Sequence, residues 1–341
     1  MTNVQDPFTK EALNYTFEDP RTFKVNLGYP AAKQKQVFYN LLKEEAHAKG
    51  LEDFEVVIES KVDAHQPGNS VPSIKGIKNI IAIASGKGGV GKSTTAVNLA
   101  LALKYQGARV GILDADIYGP SIAKMLGSES EKPTLTEDKK FNPVLASELY
   151  SMSFGYLVDV ATPAIWRGPM VTSALMQLLE GTNWPDIDYL VVDLPPGTGD
   201  IHLTLCQKVP VTGAVIVTTP QDIALIDARK GLEMFKKINV PVFGVIENMS
   251  THICSSCGHE EAIFGKGGGY KLSQDTGVPI LGEIPLNIKI REEADGGCAT
   301  VLKSPEHDIS QRYNEIALKI AAKLALTKKD YARRFPKIVV E

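Results

Sequence analysis

The chain has 341 residues, 43% of them hydrophobic and 23% charged, which suits one large α/β domain plus a small one around a sizeable core. Its net charge of −3 supplies no bulk attraction to nucleic acid or anionic membrane. No stretch approaches the ~18–20 apolar residues of a membrane span and Met1–Asp6 holds no apolar signal core, so the expected setting is cytoplasmic.

Residues 1–63 read as a small α+β module. Phe23–Leu27 alternates apolar and polar, as a strand does, and ends at Gly28-Tyr29-Pro30. The spacing predicts a helix over Gln34–Ala48 with Val37, Leu41, Leu42 and Ala46 on one side, then a strand at Phe54–Ile58. None of these residues has a catalytic look. Residues 64–75 include Pro67, Gly68 and Pro72. They read as a linker that leaves the two parts free to move.

From residue 76 to 326 strands and helices alternate, which predicts a mostly parallel sheet with helices on both faces. Asn79–Ala84 is an apolar strand, and Thr94–Tyr105 a helix with Val97, Ala100, Leu101 and Lys104 at helical spacing. Between them runs Ser85-Gly86-Lys87-Gly88-Gly89-Val90-Gly91-Lys92-Ser93, which fits the phosphate-loop pattern G-x-x-x-x-G-K-S/T. Glycines let the backbone curl so that its N–H groups face phosphate oxygens, and the following helix adds its positive end. Residues Gly86 to Thr94 are therefore candidate ATP ligands, with Lys92 neutralising the outer phosphates and the Ser93 hydroxyl on Mg²⁺. Lys87 is a second lysine inside the loop. The pattern K-G-G-x-G-K-S/T resembles the deviant loop of the family containing the nitrogenase iron protein, MinD and the arsenite pump ATPase. That resemblance implies that Lys87 crosses a dimer interface to the partner's nucleotide.

The strand Arg109–Leu113 ends in Asp114-Ala115-Asp116-Ile117-Tyr118-Gly119-Pro120-Ser121, and Arg167–Leu179 reads as a helix. Tyr189–Asp193 is a strand ending in Leu194-Pro195-Pro196-Gly197-Thr198-Gly199-Asp200. Further strands are expected at Ala214–Thr218, Val242–Ile246 and Ile280–Ile284, with a helix at Ile223–Ile238. Ligands of such folds bind at the carboxyl ends of the strands, where the polar clusters fall. Asp193 stands where a carboxylate supports hydrated Mg²⁺, and the glycines after it suit a switch that feels the γ-phosphate. Hydrolysis also needs a group that orients water and holds Mg²⁺. Asp116 is that group by its resemblance to the first switch of the deviant-loop family, with Asp114 the lesser candidate. Asn248, after another strand end, has an amide able to meet a purine edge, and by resemblance the base is adenine.

In His252-Ile253-Cys254-Ser255-Ser256-Cys257-Gly258-His259 the C-x-x-C pair is half a metal shell. Three completions are open. Two chains could each give two thiolates, His252 and His259 could complete a one-chain zinc site, or the pair could be redox-active. Cys206 reads as a buried small hydrophobe, and Cys298 as an incidental thiol. Ile309, Tyr313, Ile316, Ile320 and Leu324 form a stripe that reads as core-facing, or else as a membrane-surface helix. Lys328, Lys329, Arg333, Arg334 and Lys337 make the tail at 327–341 basic.

Lys87–Ser93, Asp114–Ser121, Trp166-Arg167-Gly168-Pro169, Asp193–Asp200, Glu247-Asn248-Met249-Ser250 and Cys254/Cys257 occur in that order. From Ile77 to Asp295 the chain thereby resembles the Mrp (ApbC) proteins. Residues 1–63 resemble part of the small domain often fused in front of Mrp-type ATPases. The resemblance implies an ATP-hydrolysing homodimer that carries a 4Fe-4S cluster on Cys254 and Cys257 between subunits and passes it to apoprotein clients. The rival is a positioning ATPase like MinD, with zinc on the cysteines or no use for them. A small-molecule kinase would need an acceptor pocket, for which no residues stand out.

Overall fold

A computed structural model describes residues 4–19, 21–157, 168–254 and 256–331. Trp166 and Arg167 of the expected motif, and Arg333, Arg334 and Lys337 of the expected tail, lie outside these residues. The first sheet has β1 (Tyr15–Asp19), β2 (Thr22–Leu27) and β3 (Glu55–Ser60), with α1 (Lys35–Ala48) between the last two. β1 pairs antiparallel and β3 parallel with β2. In α1 the buried stripe is Phe38, Leu42 and Ala46. Val37, expected on that side, is 40% exposed, because steps of four from Phe38 pass it by.

The second sheet begins with β4 (Ile77–Ala84), α2 (Lys92–Tyr105), β5 (Val110–Asp114) and the short α3 (Ile122–Met125). A hairpin of β6 (Val144–Ala146) and β7 (Leu149–Ser153) follows, then α4 (Gly168–Glu180), β8 (Ile187–Asp193) and α5 (Asp200–Lys208). The chain continues through β9 (Gly213–Thr218), α6 (Asp222–Lys237), β10 (Val242–Ile253), β11 (Glu260–Glu261), α7 (Gly268–Thr276) and β12 (Ile280–Leu286). It closes with α8 (Ile288–Asp295), α9 (Thr300–Lys303) and α10 (Asp308–Ala325). The strand order is β11-β10-β9-β4-β8-β5-β7-β6, with β12 also on β10. All the central pairings are parallel; only the hairpin strands β6 and β11 pair antiparallel. β10 is longer than its expected Val242–Ile246 and runs unbroken to Ile253.

Along β4 the side chains alternate between two cores. Ile81 and Ile83 join Val97 and Leu101 of α2 and Ile316 and Ile320 of α10. Ile80, Ala82 and Ala84 join Leu175 of α4, Leu205 of α5 and Leu232 of α6. A strand apolar on both faces is what a sheet covered on both sides requires. α2 lies between sheet and α10, so the stripe expected of it widens into burial all round, from Ala96 to Leu103. In α10 the residues Ile309, Tyr313, Ile316, Ile320 and Leu324 are all buried. Burial of each such side chain contributes about 1.5–3 kcal/mol, so this face belongs to the core and the membrane-surface alternative falls. No helix among the described residues is long and apolar enough to cross a membrane.

The stretch expected to be a free linker is hydrogen-bonded to the second sheet and its helices at His65 and Asn69. The backbone N–H of His65 donates to Asn79 Oδ1 at 3.0 Å, and Asn79 Nδ2 donates to the Asp63 carbonyl at 2.9 Å. Asn69 Nδ2 donates to the carbonyls of Cys206 and Val209 at 2.8 and 2.7 Å, closing the open C-terminal end of α5. Leu13, Phe23 and Phe38 of the first module belong to the same core as α2 and α10. The module therefore sits at the sheet's amino-terminal edge, where β4 begins.

Candidate functional site

The phosphate loop joins the end of β4 to the start of α2, and two of its glycines are required by their surroundings. A Cβ on Gly86 would stand 2.4 Å from the Asp227 carbonyl oxygen of α6. Gly91 has φ +80°, a left-handed conformation, and a Cβ there would stand 2.2 Å from Asn248 Nδ2. Gly91 is also the N-cap of α2 and offers no side-chain acceptor, so the first-turn N–H groups face outward for an anion. Lys87 is half-buried, and among the described residues nothing pairs with its ammonium group.

Lys92 is 6% exposed, and its Nζ lies 2.5 Å from Asp193 Oδ1 and 3.4 Å from Ser93 Oγ. Asp193 is fully buried, and its Oδ2 has no hydrogen-bond partner among the described residues. Burial raises the Asp193 pKa, while Lys92 and the Ser93 hydroxyl oppose the rise. Asp114 lies in register beside Asp193 on the neighbouring strand. Burial, and then the Asp193 charge, push Asp114 up to about 7. Its Oδ2 accepts from the N–H groups of Ser121 and Ile122 at 2.9 and 3.1 Å and from Ser153 Oγ at 3.1 Å. Asp114 thus ties both ends of the loop after β5, and Asp116 is the carboxylate left facing open space.

That space is a cavity of about 500 Å³ between the loops that follow β5 and β8. Asp116, Tyr118 and Gly119 line one side, and Pro195, Pro196 and His202 the other. The second loop is bonded to the phosphate loop, since Gly197 N–H donates to the Ser85 carbonyl at 3.0 Å. Sequence reasoning missed His202. It lies in the first turn of α5, 3% exposed, with both ring nitrogens closed off from solvent. Burial and the Lys92 charge push its pKa down to about 4, with the Pro195 carbonyl opposing. The imidazole is therefore neutral near pH 7.

Asn248 Nδ2 donates to the Val90 carbonyl at 2.8 Å, so this amide first of all holds the phosphate loop. One N–H and the side-chain carbonyl remain for a base. Beside it, Glu247 accepts from the Gly269 N–H at the start of α7. Farther along β10, Cys254 and Cys257 form a turn at the tip of the β10–β11 hairpin. Cys254 N–H donates to the His259 carbonyl, and Gly258 N–H returns to the Cys254 carbonyl, both at 2.9 Å. The backbone N–H groups of Cys257 and Ser256 hold the Cys254 thiol below its ordinary pKa. Cys254 is half-buried and Cys257 exposed.

Among the described residues no group of three or more His, Cys, Asp or Glu side chains converges as a metal site. The one-chain zinc site with His252 and His259 is therefore not assembled: the strand pairing puts His252 opposite Glu261, and His259 meets Cys254 through its carbonyl. Cys206 is buried in α5, where burial pushes its thiol up to about 12, as expected of a small hydrophobe. Cys298 is half-buried, and its N–H donates to the Glu293 carbonyl.

A family model described as "ParA: NUBPL iron-transfer P-loop NTPase" matches residues 76–321. The chain is 58% identical over 253 residues to the "Iron-sulfur cluster carrier protein" of Escherichia coli (strain K12), covering 74% of this chain and 69% of that one. It is 44% identical over 309 residues to a Deinococcus radiodurans protein of the same name, covering 90% and 87%. Among solved structures, the Archaeoglobus fulgidus nucleotide-binding protein in complex with ADP aligns with TM-score 0.60 at 35% identity, over 69% of this chain and 91% of that one. The Pyrococcus furiosus cell division ATPase MinD, at 22% identity and TM-score 0.53 over 71% and 98%, shares the fold alone.

Proposed function

The chain belongs to the NUBPL-type iron-transfer P-loop NTPases, and from that premise we propose that it is an iron–sulfur cluster carrier driven by ATP binding and hydrolysis. ATP binds the loop Gly86–Thr94, with the phosphates against the first turn of α2 and the Lys92 ammonium. Asn248 offers its remaining polar groups to adenine. Ser93, Asp193 and Asp116 supply the oxygens for Mg²⁺, and the unpartnered Oδ2 of Asp193 fits that use. Bound there, Mg²⁺ would neutralise phosphate charge.

Lys92 ties the nucleotide to the switch. Its ammonium already pairs with Asp193, so incoming phosphates compete with that carboxylate for it. The loop from Asp193 to Asp200 then feels whether the outer phosphate is present. Asp116 orients the attacking water. Lys87 reaches the nucleotide of a second copy, as an arginine finger does. The cargo is a 4Fe-4S cluster held between two copies by Cys254 and Cys257 of each, and handed on to apoproteins.

One observation carries the reading. A single strand, β10, holds the phosphate loop through Asn248 and ends one residue before Cys254. The six residue steps from Asn248 to Cys254 span about 20 Å at strand rise. Any shift of the loop on ATP binding is therefore fed into the strand that carries the cysteines. The test is anaerobic reconstitution with iron and sulfide, reading the iron-to-sulfide ratio, the visible spectrum and the molecular mass. Wild type is expected to take up one cluster per dimer. Cys254→Ala with Cys257→Ala is expected to take up none while still binding ADP. A full cluster in that double variant, or full iron uptake by a monomer, would overturn the reading.

A further inference from the structure

A second cavity, of about 440 Å³, lies in the seam between the first module and the larger domain. Its size is within the range of small-molecule sites, about 300–1,000 Å³. The module brings Lys33 to it, the end of α2 brings Tyr105 and Gln106, and the start of α10 brings Glu306 and Gln311. The walls are held in place by hydrogen bonds. Across the seam the Ala32 N–H donates to the Gln106 carbonyl at 3.0 Å, and the Lys33 N–H to Gln106 Oε1 at 3.4 Å. Gln311 Nε2 donates to the Glu306 carbonyl at 3.1 Å. Two opposite charges line this one cavity without meeting. Lys33 Nζ stands over the Tyr105 ring, 5.2 Å from its centroid. Glu306 Oε1 accepts from the hydroxyl of the same tyrosine at 3.1 Å. Among the described residues neither charge has an ion-pair partner. The other carboxylate of the lining, Glu315, is already taken by Lys319 at 2.7 Å. A lone anion entering here would meet Glu306, and a lone cation would meet Lys33. A small molecule that carries both signs a few bonds apart satisfies both.

We propose that this cavity binds a free α-amino acid, with its carboxylate on the Lys33 ammonium and its ammonium on the Glu306 carboxylate. The site is separate from the nucleotide loop and the cysteines and is independent of the cluster-carrier reading. Lys33 belongs to the module and Glu306 to the larger domain, so the bound molecule bridges the seam and ties the two parts together. Tyr105 serves as the spacer: its face positions the ammonium, its hydroxyl positions the carboxylate, and neither charge can neutralise the other while both are held there.

The experiment screens the full chain by thermal shift against each of the common L-amino acids at millimolar concentration, and takes the one with the largest shift to calorimetry. A saturable rise in Tm is expected, with one molecule bound per chain and binding that weakens as salt is added. Lys33→Gln and Glu306→Gln are each expected to weaken binding about tenfold or more, the worth of a hydrogen bond to a charged group, while the Tm of the free protein holds. On the wild type, the N-acetyl and the carboxamide derivatives of the same amino acid are expected not to bind, a comparison that needs no variant to fold. No shift from any of the amino acids overturns the proposal. So does undiminished binding in either variant, or equal binding of either blocked derivative. None of these readouts involves nucleotide or iron, so such a failure leaves the cluster-carrier reading untouched.

Discussion

Asp114 and His202 titrate in opposite senses around the same site. Asp114 goes from an ordinary 3.8 to about 7 on folding. Between those values the native state holds a proton that the unfolded chain has lost, so this group stabilises below pH 3.8 and loses that effect as pH rises through 7. His202 goes from 6.5 down to about 4. Its contribution is present above pH 6.5 and is lost as pH falls through 4. The two slopes oppose each other in the wild type. Relative to it, His202→Leu is expected to gain stability on acidification from pH 7 to 4, and Asp114→Asn to lose it. Urea midpoints across that range check both signs. At Gly91, alanine must adopt a left-handed φ and displace Asn248, so Gly91→Ala is expected to abolish ADP binding by calorimetry. The sequence made the phosphate loop legible because its chemistry needs fixed residues at fixed spacing. His202 was not legible, since a single histidine in a helix looks the same whether it faces a partner or a cavity. The grip of Asn248 on Val90 was hidden for a related reason: it joins residues 158 positions apart.

At the scale of elements, the parallel strands were readable because burial on both faces leaves uninterrupted apolar runs. The β6–β7 hairpin was not, as its strands are short and its turn uses Ser147 and Glu148 at φ +49° and +63° in place of glycine. The far half of β10 was missed because Glu247 and Asn248 end the apolar run, while pairing with β12 and β11 keeps the strand going past Met249 at φ +56°. The C-terminal helix makes the sharpest element-level prediction. Gly282 of β12 leaves the space that Ile316 occupies, for a Cβ there would stand 2.7 Å from Ile316 Cγ1. Ile316→Ala is therefore expected to cost about 2–5 kcal/mol of stability. Liposome flotation is expected to be the same for both proteins, because the apolar face of this helix already lies in the core.

For the whole molecule, the proposed coupling must be reciprocal. If ATP changes how tightly the cluster is held, cluster occupancy changes ATP affinity by the same factor. Titrating a nucleotide analogue into apo and cluster-loaded dimers checks this, and equal affinities would leave the two sites uncoupled. Lys87→Ala is expected to slow hydrolysis while preserving ADP binding in each chain, since its proposed target lies on the second copy.

The first module is anchored through Asp63, His65, Lys78 and Asp188 at the strands' amino-terminal edge, a full strand length behind the phosphate loop. That placement would separate mooring from delivery in a cluster carrier of the proposed kind. A protein gripped by the module would ride on the back of the molecule, and the cysteine-bearing front would stay open for docking and release. Tethering a recipient to this rear handle by a long flexible leash should therefore raise its local supply without jamming the handover.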